Sequence, residues 1–166
     1  WLTGDTLSRY AIQRLVPVFT YFRTTVGLGL KDFGDIDNRI RARVMMASLW
    51  AWRTSEQPAQ YTADMDRMLT TVLGAQEADG SYRFTFICNA SLNYMDGMLN
   101  EALIQYHTHY NADARILPSV QKNVAWMWGQ WNATGEGFKD TFGFRAVEFG
   151  NWNNQDERQD LMNDAW

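Results

Sequence analysis

The sequence predicts an all-α protein built from antiparallel helical hairpins, and three observations carry that expectation. Apolar residues recur at three- and four-residue steps along five stretches of the chain. Glycine, proline or aspartate punctuates the ends of those stretches. The connections between them alternate short and long, and in successive antiparallel pairs that rhythm brings every long connection to one end.

The first helix is expected between Asp5 and Thr25, with Leu7, Ala11, Leu15, Val18 and Phe22 on one face. Pro17 removes a hydrogen bond and clashes with the preceding turn, so a kink is predicted there. Gly27, Gly29 and Gly34 mark the connection that follows. The second helix should begin near Asp35 or Asp37, whose carboxylates suit a helix N-terminus, and run through Ile40, Val44, Ala47 and Ala51 toward Thr54. The third, from about Gln60 to Gly74, should bury Tyr61, Met65, Met68, Leu69 and Val72 and stop at its glycine.

The stretch Gln76-Glu77-Ala78-Asp79-Gly80-Ser81-Tyr82-Arg83-Phe84 then turns at Asp79-Gly80. Phe84, Phe86 and Ile87 suggest a short extended segment before a fourth helix from about Ser91 to Tyr110, lined by Leu92, Met95, Leu99, Ala102, Leu103 and Tyr106. Asp113 and Pro118 open a fifth helix, expected to face inward with Leu117, Val120, Val124, Met127, Trp128 and Trp131. From Asn132 to Gln155 no period is sustained, and Gly135, Gly137, Gly143 and Gly150 point to a long irregular or short-stranded loop. A further helix begins at Asp156 to Met162, and the chain opens on Trp1. We therefore expect a single α/α-hairpin domain over residues 1–166 that is a fragment of a longer chain.

With 166 residues and 46% hydrophobic content, one domain with a real core is the natural outcome. A net charge of -4 offers no bulk attraction to nucleic acid, and the local cluster Arg39, Arg41 and Arg43 is offset by Asp32, Asp35 and Asp37. No apolar run approaches the roughly 20 residues of a spanning helix, so membrane insertion is not expected. Cys88 is the single cysteine, which excludes an internal disulfide and a cysteine-rich metal site. No phosphate loop, nucleotide fingerprint or zinc spacing is present, so neither a metal nor another cofactor is expected. His107 and His109 stand two apart on a helix and point to different faces, which suits helix-end charge better than a metal pair.

The hairpin rhythm, the phrase Gln76 to Tyr82, the pairing of Asn93 to Leu103 with Trp126 to Trp128, and the turn Tyr110 to Pro118 together resemble the α/α toroid proteins. Within that group the chain looks most like the six-hairpin glycosidases and related polysaccharide lyases. The resemblance covers about two-thirds of the chain and rests on packing motifs. A full ring needs roughly twice this length, so it implies a partial ring, whose missing hairpins or a protein partner would cover apolar surface. Gln76 to Tyr82 also resembles the Gln-to-Trp repeat of terpenoid cyclases, but Asp35-Ile36-Asp37 and Asp64-Met65-Asp66 do not make the acid clusters those enzymes need.

What the resemblance implies is a carbohydrate-active protein, a glycoside hydrolase before a lyase, with a poly- or oligosaccharide as partner. Scarce lysine beside plentiful Trp, Asn and Gln fits a bacterial secreted or periplasmic setting. Glycoside hydrolysis needs two carboxyl groups, about 5 to 5.5 Å apart for retention or about 6.5 to 9.5 Å for inversion. Glu148, Asp96, Asp79 and Asp140 are the candidates near the long-connection end. Asp79 competes with a role as a turn residue, and Asp96 with one as an early-helix acid facing the dipole. Glu148 and Asp140 sit among Phe138, Phe142, Phe144, Phe149 and Trp152, where partial desolvation suits a general acid. Substrate contacts are expected from Tyr82, Arg83, Tyr94, Trp131, Arg145, Trp152 and Asn153, since sugar C–H faces stack on aromatic planes and sugar hydroxyls suit polar side chains. A lyase would instead use Tyr94 or His107 as base, with Arg83 or Arg145 against a uronate carboxylate. The non-catalytic alternative is a helical-repeat binding or scaffold domain whose aromatic residues are packing surface.

Overall fold

The computed structural model describes residues 6–8, 10–11, 13–15, 37–83, 91–129, 131–132, 137–138 and 141–142. Among these, helix dominates and strand is confined to four two-residue pieces, as expected of an all-α protein. Residues 6–8, 10–11 and 13–15 are helical, and Gln13 Nε2 donates to the carbonyl of Thr54 at 3.0 Å. The Pro17 kink, the glycine connection, the extended segment at Phe84 to Ile87 and the helix start at Asp156 lie outside the described residues.

Four helices carry the core: α1 (Asn38–Thr54), α2 (Ala59–Gly74), α3 (Asn93–His109) and α4 (Ile116–Trp128). Asp37 is the N-cap of α1, and its carboxylate accepts the N–H of Ile40 at 2.9 Å. Only residues 55–58 separate α1 from α2, and only residues 110–115 separate α3 from α4. Connections that short cannot run back along a helix of 16 or 17 residues, so each pair forms an antiparallel hairpin. The two hairpins meet through α1 and α3, which lie parallel. Asn38 at the start of α1 bonds Asp96 at the start of α3, while Trp52 and Tyr110 at the far ends meet edge to face at 5.2 Å.

The core between them holds Met45, Leu49, Met65, Leu69, Leu99, Leu103, Tyr106 and Ile116, each at most 2% exposed. Tyr106 crosses it and gives its hydroxyl hydrogen to the carbonyl of Met45 at 3.1 Å. In α2 the buried residues are Tyr61, Met65, Met68, Leu69 and Val72, the stripe expected from its period. Two helices are rotated from expectation. In α1 the deepest positions include Asn38, Arg41 and Ser48, with Ile40, Val44 and Ala47 only partly buried. In α4, Ser119 and Asn123 turn inward with Ile116, Val120 and Trp126, while Leu117, Val124 and Trp128 stand 44%, 50% and 70% exposed. Asn38 of α1 and Ser119 and Asn123 of α4 share a cause: each meets a backbone or side-chain group of the connection after α2 that an apolar group cannot satisfy.

That connection, residues 75–92, joins the end of α2 to the start of α3. Its last two residues form β1 (Ser91–Leu92); beyond α4 come β2 (Trp131–Asn132), β3 (Gly137–Phe138) and β4 (Thr141–Phe142). β2 pairs antiparallel with β3, and β1 pairs antiparallel with β4, Ser91 opposite Phe142 and Leu92 opposite Thr141. The long connections after α2 and after α4 therefore meet at one end of the helices. No described helix is long and apolar enough to cross a membrane.

Gly80 makes the tightest backbone demand. Its φ is 101°, and a Cβ placed there would lie 2.6 Å from the carbonyl oxygen of Lys122 on α4. Gly80→Ala is expected to destabilise the fold by roughly 2–4 kcal/mol, combining left-handed strain with a backbone clash. Urea denaturation should show a lower midpoint with unchanged slope.

Candidate functional site

The polar residues of the described chain converge where the connection crosses the helix ends. Asp96, in the first turn of α3, has no exposed surface. Its Oδ1 accepts from Asn38 Nδ2, and its Oδ2 accepts from Ser91 Oγ at 2.8 Å and Asn123 Nδ2 at 3.2 Å. The same donors hold the connection: Asn38 Nδ2 reaches the carbonyl of Tyr82 at 2.6 Å, Asn123 Nδ2 that of Gly80 at 2.9 Å, and Ser91 Oγ lies 3.2 Å from the Tyr82 carbonyl. Arg41, fully buried, donates from Nη1 to Asn38 Oδ1 at 2.7 Å, so one amide bridges a buried cation and a buried carboxylate. Burial pushes the Asp96 carboxyl up to about 6, against the hydrogen bonds from Ser91, Asn123 and Asn38 and the positive charge of Arg41.

A second group of bonds fixes Gln76 and Tyr82. Gln76 Nε2 donates to the carbonyls of Gly80 at 3.1 Å and Ser119 at 2.9 Å, and its Oε1 accepts from Ser119 Oγ at 2.9 Å. Since that bond uses the single Ser119 hydroxyl hydrogen, the Tyr82 hydroxyl must be the donor in its short contact with Ser119 Oγ. Tyr82 is fully buried, and burial pushes its phenol up to about 12. Asp79 accepts the N–H and hydroxyl of Ser81 at 3.0 and 2.7 Å and pairs with Arg83 at 3.0 Å. Burial alone would raise the Asp79 carboxyl, but the Ser81 hydrogen bonds and the Arg83 guanidinium outweigh it and hold the group below its ordinary range.

The structure thus brings together Asp79, Tyr82, Arg83 and Asp96 from the expected site. Tyr94 follows β1 in the first turn of α3 and packs, half-buried, beside Met95. Trp131 begins β2, with its side chain outside the description, and Asp140, Arg145, Glu148, Trp152 and Asn153 lie outside the described residues. Sequence reasoning missed Asn38, Ser91, Asn100, Ser119 and Asn123. The available signal was polar residues at helical spacing: Asn93, Asp96 and Asn100 share one face of α3, and Ser119 and Asn123 one face of α4. Among the described residues no group of three or more His, Cys, Asp or Glu is arranged to hold a metal. No protein-family model, curated protein or solved structure matches this chain.

Removing the central acceptor leaves Asn38, Ser91 and Asn123 donors without their buried partner. Asp96→Ala should cost about 3 kcal/mol or more by chemical denaturation, whereas Tyr82→Phe, which deletes one donor and leaves the Ser119–Gln76 bond intact, should cost about 1 kcal/mol. Equal costs would mean that Asp96 is not the organising acceptor.

Proposed function

We propose that this chain is a portion of an α/α-toroid protein that acts on carbohydrate, with its described helices holding a rim of long connections and the chemistry assigned to Glu148 and Asp140. The meeting of the connections after α2 and after α4 in the β1–β4 pair carries this reading. Asp140 directly precedes Thr141 of β4, and Tyr94 follows Leu92 of β1 by two residues, so both candidates adjoin that pair along the chain. Asp96 and Tyr82, wholly buried, serve the rim from within and do not face a sugar. Glu148 is the proposed general acid and Asp140 the second carboxylate of a glycoside hydrolase. Uronate elimination is the weaker reaction, because Arg83, one of its two candidate cations, is paired with Asp79.

One observation favours a non-catalytic helical-repeat reading. Asp37, Asp64, Asp79 and Asp113 each stand within ion-pair distance of an arginine, namely Arg39, Arg67, Arg83 and Arg115. Carboxylates engaged in this way belong to a scaffold's surface.

The two readings separate in one assay. Release of reducing ends from a panel of polysaccharides should fall at least about 100-fold in Glu148→Gln of the full-length protein, with the helical circular dichroism unchanged. Wild-type turnover in both Glu148→Gln and Asp140→Asn would remove the assignment. Retention on a glycan column without turnover would favour the binding scaffold.

A further inference from the structure

The connections before α1, after α2 and after α4 are versions of one sequence. Gly27-Leu28-Gly29-Leu30-Lys31-Asp32-Phe33 and Gly135-Glu136-Gly137-Phe138-Lys139-Asp140-Thr141-Phe142 share the order glycine, any residue, glycine, apolar residue, lysine, aspartate and then phenylalanine. Ser81-Tyr82-Arg83-Phe84-Thr85-Phe86 aligns with the second of these from Gly137 onward, with an aromatic residue, a cation and a final Thr-Phe in common. The backbone repeats with the sequence. Gly74 ends α2 and Gly129 caps α4, and the turn that follows is closed by the bond from Glu77 N to Ser81 O in one copy and by the pairing of Asn132 with Gly137 in the other. The helices recur too, α3 starting about 55 residues after α1 and α4 a similar distance after α2. In a chain of stacked repeats each unit is completed by the next.

The α1/α2 unit shows what that completion requires. Asn38, the first residue of α1, donates from Nδ2 to the Tyr82 carbonyl and to Asp96, which follows Asn93, the first residue of α3, by one turn. The same spacing returns in Asn153-Asn154-Gln155-Asp156. The buried positions Ala42, Met45 and Leu49 of α1 correspond, one repeat on, to Gly97, Asn100 and Ile104 of α3. In α1 all three are enclosed by the core, whereas Ile104 is exposed and a Cβ added to Gly97 would meet nothing nearer than Met127 Cε at 4.0 Å. Between them Asn100 Oδ1 is a buried acceptor with no hydrogen-bond partner. The amide cannot be turned round to cure this, because its Nδ2 donates to Asn123 Oδ1 at 2.7 Å and Asn123 Nδ2 is engaged by Gly80 and Asp96.

We infer that the chain's own segment from Asn153 to Met162 docks as a helix parallel to α3 on the face of Gly97, Asn100 and Ile104, with the Asp156 carboxylate accepting from Asn93 as Asp96 accepts from Asn38, and Gln159 donating to Asn100 Oδ1. This segment lies outside the described residues, and the repeat assigns its place. Gln159 follows Asp156 by the spacing at which Leu99 follows Asp96, so a polar pair, Asn100 with Gln159, takes over the positions held by apolar Met45 and Leu99 in the preceding unit. Asn93 begins α3, so Asp156 also meets the positive end of that helix, as Asp96 meets that of α1. The docking needs no substrate and does not rest on the carbohydrate reading.

Paramagnetic broadening in solution tests this without reading any activity. Glu101 is exposed and lies one turn from both Gly97 and Ile104 on α3. A nitroxide on Glu101→Cys, in a Cys88→Ser background, should broaden the backbone amide signals of residues 156–163 more strongly than those of α2. Asp156→Ala should lose that broadening while the amide shifts of α1 stay unchanged, since the Asn38–Asp96 bond is untouched. Asp156→Asn, whose amide oxygen still accepts, should keep it. Asp156 contributes nothing to the described core, so these variants remain informative where a change at buried Asn93 could unfold the chain. No broadening of residues 156–163, broadening undiminished in Asp156→Ala, or broadening seen only when labelled and unlabelled chains are mixed, which would put the segment on a second copy, would each overturn the inference.

Discussion

One buried carboxylate joins three of the helices and a strand of this chain. Asp96 has no contact with solvent, and an ionised group in that position is costly unless donors surround it. Its three donors come from α1, β1 and α4, and Asp96 itself belongs to α3, so satisfying one acidic group fixes three helices and a strand relative to each other. The helices assist electrostatically. Asn38 is the first residue of α1 and Asp96 lies in the first turn of α3, so two positive helix ends approach the charge. The parallel packing of α1 on α3 follows from that shared end.

The connection between α2 and α3 depends on the same residues. An irregular backbone crossing buried helix ends has carbonyls that no regular ladder can satisfy. Asn38 and Asn123 each use the two hydrogens of one amide nitrogen, one on Asp96 and one on a connection carbonyl. Gln76 works in the same manner against Ser119 and Gly80. Gly80 completes the arrangement by letting the turn lie against the backbone of Lys122, closer than any side chain permits. Such a network supplies less net stability than its number of bonds suggests, because each group leaves water to form it, but it permits few alternative registers.

Much of this architecture was legible in the residues, and the exceptions have a common physical origin. In α2 the apolar stripe is one-sided, and Tyr61, Met65, Met68, Leu69 and Val72 are all buried as its period implies. In α3 the apolar positions Met95, Leu99, Ala102, Leu103 and Tyr106 are likewise inside. Apolar periodicity misjudges α1 and α4 because Asn38, Ser119 and Asn123 turn inward to meet polar partners remote in sequence, and Arg41 is buried beside Asn38 one turn away. Asp96 was legible as an early-helix acid, but its burial depends on Asn38, Ser91 and Asn123, which lie 58, 5 and 27 residues away along the chain. The Asp79-Gly80 turn was legible in full, since its chemistry is local: Asp79 bonds residue 81, and Gly80 takes the positive φ.

The remaining charges behave differently, and the contrast locates where function can reside. Asp64 with Arg67, Asp79 with Arg83 and Asp113 with Arg115 are close in sequence and open to solvent, where a pair contributes about 1 kcal/mol at most. They neither organise the fold nor concentrate a field. The one strong electrostatic feature among the described residues is enclosed and directed at the chain's own backbone. The carbohydrate reading proposed above therefore rests on the segments adjoining the β1–β4 pair and not on these ion pairs.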